Sequence, residues 1–203
     1  MEVDVSALAP GAAYRLMIAC LVPRPIAWVS TVSPRGVANL APFSFFGGVT
    51  SDPPLVMVSV GRRRDGSRKD TAANLLALGE AVVHIPDRER AQAMVATSAE
   101  VAPDTDEFEL ASLAKAPAMR VRPPRVADAS IALECVLERH LELGRGPVDA
   151  FLLRIVHAHL ADAILVDGLP DPERLRAVGR LGGERYSDTA ITFDLPRPPR
   201  PAR

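Results

Sequence analysis

The chemistry-bearing residues of this chain crowd into one stretch, Arg24–Asn74. Ser67, Lys69 and Thr71 put two hydroxyls and an ammonium on alternate residues, where the sequence predicts a helix to begin. Helix N-termini expose unpaired N–H groups and a partial positive charge, so this spacing suits a phosphate. The competing reading is a helix capped by Asp70 or Thr71 with solvated neighbours, and taken alone that pattern is the commoner one. Arg62–Arg64 just upstream reads either as a basic rim for the same anion or as an exposed loop, with at least one of the three expected in solvent.

A second feature is the run Asn39-Leu40-Ala41-Pro42-Phe43-Ser44-Phe45-Phe46-Gly47-Gly48. Pro42 cannot donate to a ladder, so the chain is expected to leave its strand here with free backbone groups. Such groups, with Asn39 and Ser44, can pair with the polar edge of a heterocycle. The alternative is an irregular edge carrying core phenylalanines, since half of the six Phe residues lie here. A third feature, Arg180-Leu181-Gly182-Gly183-Glu184-Arg185-Tyr186, is either a lid over a bound ring or a turn; its chemistry alone favours the turn.

Other chemistries find little support. There is no P-loop, no G-x-G-x-x-G after a strand, and no G-x-S-x-G elbow. His157 and His159 are two residues apart on a predicted strand, the spacing of a metal pair. No third ligand stands near them in sequence, so ordinary strand histidines and no metal site are expected. Cys20 and Cys135 lack metal-ligand spacing and are read as small buried hydrophobes in a reducing compartment. A formal net charge of −1 gives no reason to expect nucleic acid or an anionic membrane as partner. Of the 24 basic residues only Lys69 and Lys115 are lysines, so arginine counts carry little functional weight. No leader peptide or apolar span is visible, and a cytoplasmic protein is expected.

The elements that must position these residues are mostly strands. Ile26–Val32, Val37–Ala41, Leu55–Val60 and Ala81–Ile85 are β-type apolar runs, with turn chemistry at Ser33–Gly36. Helices are predicted at Tyr14–Leu21, from Asp70 to a stop at Gly79, and over Arg88–Thr97 behind an Asp87 cap. Ser98–Asp128 reads as a surface excursion. In Ser130–Leu143, Ile131, Leu133, Cys135, Leu137 and Leu141 fall on one face, and Glu134, Glu138, His140 and Glu142 on the other. Phe151–Val166 is a second long strand. The pattern predicts a mainly β protein with short helices: one domain over residues 1–195 and a disordered Pro/Arg-rich tail, 196–203.

In order along the chain, RPIAxVST (Arg24–Thr31), GxxNxAPFSxF (Gly36–Phe46), DPP (Asp52–Pro54), DGSxKDTxxN (Asp65–Asn74) and RLGGxxY (Arg180–Tyr186) resemble the flavin reductase-like family. The resemblance implies an antiparallel split β-barrel that binds FMN non-covalently as a homodimer. By position, Ser30, Thr31 and the loop Asn39, Leu40, Ala41, Pro42, Phe43, Ser44 and Phe45 would contact the isoalloxazine and ribityl parts. Ser67, Lys69 and Thr71 would hold the phosphate with Asn74 close by, and Tyr186 with the Gly182-Gly183 turn would approach the flavin. It further implies hydride transfer from NADH or NADPH to the flavin, with no catalytic side chain required and a monooxygenase as a conceivable partner. RLGGxxY stands where short-chain flavin reductases carry a His-containing segment associated with NADH, which leaves open a second role as electron carrier or oxygenase partner.

Overall fold

A computed structural model of the chain describes residues 1–196 and 198. The expected tail therefore lies outside the described residues, apart from Pro196 and Pro198. Helix α1 (Pro10–Cys20) precedes strands β1 (Arg24–Pro25), β2 (Ala27–Val32), β3 (Ala38–Phe43), β4 (Phe46–Ser51) and β5 (Pro54–Gly61). Helix α2 (Asp70–Leu78), β6 (Glu80–His84), α3 (Ala91–Ala96) and α4 (Glu107–Leu110) follow. Short strands β7 (Lys115–Ala116) and β8 (Arg125–Val126) lead to the long pair β9 (Ile131–Leu143) and β10 (Val148–Leu160). The chain closes with β11 (Leu165–Val166), β12 (Leu169–Pro170), α5 (Pro172–Leu175), β13 (Gly179–Arg180) and β14 (Tyr186–Ser187).

Seven strands form one antiparallel sheet in the order β3-β2-β6-β9-β10-β5-β4. Its two edge strands, β3 and β4, are consecutive in the chain but do not pair with each other, so the rolled sheet stays split. Val29, Val58, Leu75, Phe151 and Leu153 fill its interior, all without solvent exposure. Removing apolar surface of that kind from water stabilises the fold by about 2 kcal/mol per large side chain. Helix α2 supplies Ala72 and Leu75 to this interior and stops at Gly79, whose φ of +69° is a left-handed conformation that costs glycine nothing. A second core lies on the opposite face, where Trp28 and Leu40 pack against Met94, Phe108 and Val126.

Several sequence expectations need correction. Ser98–Asp128 is not only surface: it carries α4 and the fully buried Phe108 and Val126, which cover β2 and β3. Pro42 does not end its strand, because β3 is an edge and the missing N–H costs no ladder bond. Asp87 accepts from Arg90 N at 3.0 Å, yet α3 proper begins only at Ala91. Cys20 is exposed at the end of α1, while Cys135 is buried and its thiol is pushed up to about 12 by burial. β10 stops at Leu160 rather than running to Val166.

The alternation in β9 reverses partway. Leu152 faces Arg139 and Leu153 faces Leu137, so Glu138 is an extra residue in the ladder. One inserted residue swaps the faces of everything beyond it. His140 consequently stacks on the core residue Phe151 at 5.0 Å, and Leu141 turns to solvent. Among the described residues no helix is long and apolar enough to cross a membrane.

Candidate functional site

Helix α2 begins with an open end. Lys69 occupies the N-cap position in an extended conformation, and no side chain accepts from the first turn. Asp70 is the first helical residue and pairs instead with Arg63 at 2.6 Å, so neither Asp70 nor Thr71 is the cap. The leading N–H groups and the positive end of the helix dipole remain available to an anion. Two buried side-chain bonds hold this helix end on the sheet: Asn39 Nδ2 donates to Thr71 Oγ1 and Asn74 Nδ2 donates to Thr31 Oγ1, each at 3.0 Å. Because Thr71 Oγ1 accepts from Asn39, its own proton is free for another acceptor.

A cleft opens from this point along the edge strand β3. Its narrow end is lined by Asn39, Ala41, Lys69, Thr71, Arg63 and Glu107. Its wider part, about 380 Å³, is lined by Tyr14, Arg24, Ser44, Arg180, Gly183 and Tyr186. Pro42, Phe43, Lys69 and Ser98 border both, so the two parts adjoin.

The structure thus gathers Asn39, Ala41, Pro42, Phe43, Ser44, Lys69, Thr71 and Tyr186 around one groove. Thr31 and Asn74 sit behind it as the bolt between β2 and α2. Ser30 is fully buried on the alternate face of β2, beside Leu40, without a partner for its hydroxyl among the described residues. Phe45 packs near Tyr14, ring centroids 6.5 Å apart, and its carbonyl accepts from Ser59 N. Ser67 is exposed, and both its N–H and hydroxyl are spent on Asp65, at 2.9 and 2.6 Å.

The three arginines of Arg62–Arg64 divide. Arg62 pairs with Asp149 and Glu142, at 2.8 and 2.7 Å; Arg63 borders the cleft; Arg64 is exposed. Arg24 is buried and donates to the carbonyls of Ile18, Leu21 and Leu181, each at 2.7 Å, tying the end of α1 to the Arg180–Tyr186 hairpin. That hairpin is a turn whose residues also wall the cleft. Arg180 hydrogen-bonds Tyr186 and stacks over its ring at 4.5 Å.

Sequence reading leaves Glu107 in the acidic surface excursion of Ser98–Asp128, whereas the structure buries it. Its carboxyl accepts from Leu40 N at 3.0 Å, covering an unpaired N–H on the edge strand. Burial pushes its pKa up, which reduces the conflict between this carboxyl and an anion in the same groove. Nothing local in sequence marks it, because its partner lies 67 residues away.

A rolled antiparallel sheet whose unpaired edge carries this cleft is the split barrel of flavin reductases. The profile of the flavin reductase like domain matches residues 19–169, and the chain belongs to that family. A Halalkalibacterium halodurans protein of unassigned function is 42% identical, over 98% of this chain and 97% of its own. The chain is similar to nitrilotriacetate monooxygenase component B from Bacillus cereus, with 36% identity and a TM-score of 0.91 over 96% of this chain and 98% of that one. It is also similar to 2-nitrobenzoate 2-nitroreductase NbaA from Pseudomonas fluorescens, with 28% identity and a TM-score of 0.83 over 98% and 96%.

Proposed function

We propose that this chain is an FMN-dependent oxidoreductase of the flavin reductase type. The observation that carries the reading is the pair of adjoining clefts that runs from the open, lysine-flanked start of α2 to the Arg180–Tyr186 hairpin. Its donor set suits a molecule with a phosphate at one end and a flat polar ring at the other. Lys69, Thr71 and the first N–H groups of α2 hold the phosphate, with Arg63 at the rim. The segment Pro42–Ser44 lies against the ring, and Tyr186 and Gly183 cover it. When bound, FMN would supply the two-electron chemistry, with NADH or NADPH as the hydride donor. The chain's own task is to bind, orient and exclude water, with backbone N–H groups near Phe43–Phe45 favouring negative charge on the ring.

The likeness to a monooxygenase component supports a second reading, in which the chain carries reduced flavin for an oxygenase and depends on another protein for its electrons. We read it as a single domain of residues 1–195 working in the cytoplasm as a homodimer. The apolar side chains Tyr14, Met17 and Leu21 of α1 and its C-cap are uncovered, no residue of that helix is buried, and Tyr14 borders the cleft. A second copy on this face would both bury the helix and close the site.

The experiment is an FMN titration followed by anaerobic addition of NADH or NADPH, read by visible absorption. Bleaching of bound flavin is the expected result. Flavin that binds but is bleached by neither donor selects the carrier reading, and failure to bind FMN overturns both.

A further inference from the structure

Three side chains with metal-binding donors converge well away from the cleft. His157 and His159 project to one face of β10. A register shift after Ile155 sets His157 opposite Glu134 of β9, on the face away from Cys135. The donor atoms of Glu134, His157 and His159 lie within 4.8 Å of one another. His159 Nε2 is 2.6 Å from Glu134 Oε1, and the two imidazole rings meet edge to face at 4.9 Å.

The surroundings are those of a prepared ligand set. The Glu134 side chain has no solvent exposure, and its two oxygens accept from Met119 N and Arg120 N at 2.7 and 2.6 Å. Backbone donors that fix a carboxylate in this way orient a ligand as well as raise a barrier to its movement. His157 makes no side-chain hydrogen bond among the described residues and is half-buried, so its ring is free to turn.

We propose that Glu134, His157 and His159 bind a divalent transition-metal cation of the Zn²⁺, Co²⁺ or Ni²⁺ type. Two imidazoles and one carboxylate match these borderline ions rather than Mg²⁺ or Ca²⁺, which take oxygen ligands. Ligands of a tetrahedral ion stand about 3.4 Å apart, so His159 and Glu134 need separate by only about 1 Å to admit it. Three protein ligands leave one position for water. β2 and β6 lie between β9 and the cleft strand β3, so the ion stands apart from the cleft in the sheet. It clamps the segment around Met119 and Arg120, already anchored on Glu134, to the end of β10.

The test uses the full chain after chelator treatment. Co²⁺ is titrated and followed by its visible absorption, and Zn²⁺ by calorimetry. Expected are one ion per chain at low micromolar affinity or tighter, and a rise in Tm with Zn²⁺. His157→Ala, which removes no hydrogen bond, should weaken binding roughly 100-fold and abolish that rise. Cys20→Ser, which removes the exposed thiol, should bind as the parent does. Absence of saturable binding, unchanged affinity in His157→Ala, or loss of binding in Cys20→Ser would each overturn the assignment.

Discussion

The loop between β5 and α2 sends its cations to two places, and their fates differ. On one side Arg62 and Arg68 converge on Asp149, which has no solvent exposure and also accepts from His140 at 2.8 Å. Every charge there has a partner. On the other side Lys69 stands at an uncapped helix start with no side-chain partner among the described residues, facing a groove. Both regions are built from the same few residues of sequence. Charges that close on one another hold a fold together; charges left open at a cleft await a ligand.

The sharpest way to break this contrast is to remove the centre of the closed cluster. Asp149→Ala leaves Arg62 and Arg68 with only the half-exposed Glu142 and takes the acceptor from His140, and should cost about 3 kcal/mol. Urea unfolding measures it, and FMN affinity of the folded fraction should change little. A cost below about 1 kcal/mol would place the cluster with ordinary surface pairs.

A second closed site responds to acid. His84 is fully buried; its Nδ1 lies 2.9 Å from the Trp28 carbonyl and its Nε2 accepts from Val126 N at 3.0 Å, an arrangement that requires the neutral ring. Burial lowers its pKa from 6.5 to about 4. Below 6.5 the unfolded chain takes up a proton that the folded one refuses, so stability falls with pH between about 6.5 and 4. The full loss is about 3 kcal/mol. Asp149, whose burial is outweighed by His140, Arg68 and Arg62, is held below the usual carboxylate range and contributes its own loss only below its unfolded pKa of 3.8. Denaturant midpoints across this range should therefore fall before Asp149 titrates. A flat profile from pH 6.5 to 4.5 would count against the closed geometry at His84.

The open side is tested by Lys69→Glu. This should weaken FMN roughly 100-fold, from a lost charge-assisted bond and a new repulsion, while Tm stays near that of the parent. Fluorescence titration reads the affinity, and no change would remove the phosphate assignment. Ser67→Ala marks the small end of the scale. Its hydroxyl is exposed and held by Asp65, so affinity should stay within about twofold. A large loss there would return Ser67 to the phosphate site that the sequence resemblance implies.

What was legible in the sequence was local. β2 and β5 announce themselves by apolar runs, and α2 by its composition and the Gly79 stop, because turns, caps and periodicity are written within a few residues. The open helix start also lay in view at Lys69, although two of its neighbours were credited with a cap that neither makes. The face reversal in β9 was not legible. Glu138 becomes an extra residue only by virtue of how β10 pairs, and no pattern within one strand records its partner's register.

By itself, then, the sequence determined a mainly β chain, a helix entrance chemically fit for an anion, and an ordered set of motifs shared with the flavin reductases. Tertiary structure decided the rest. It chose Thr31 and Asn74 as a bolt rather than as cleft walls, brought Glu107 to the groove from 67 residues beyond Leu40, and set Glu134 against His159 across two strands. The reason is physical: propensity and capping act between neighbours in sequence, whereas burial, ion pairing and ligand geometry act between neighbours in space.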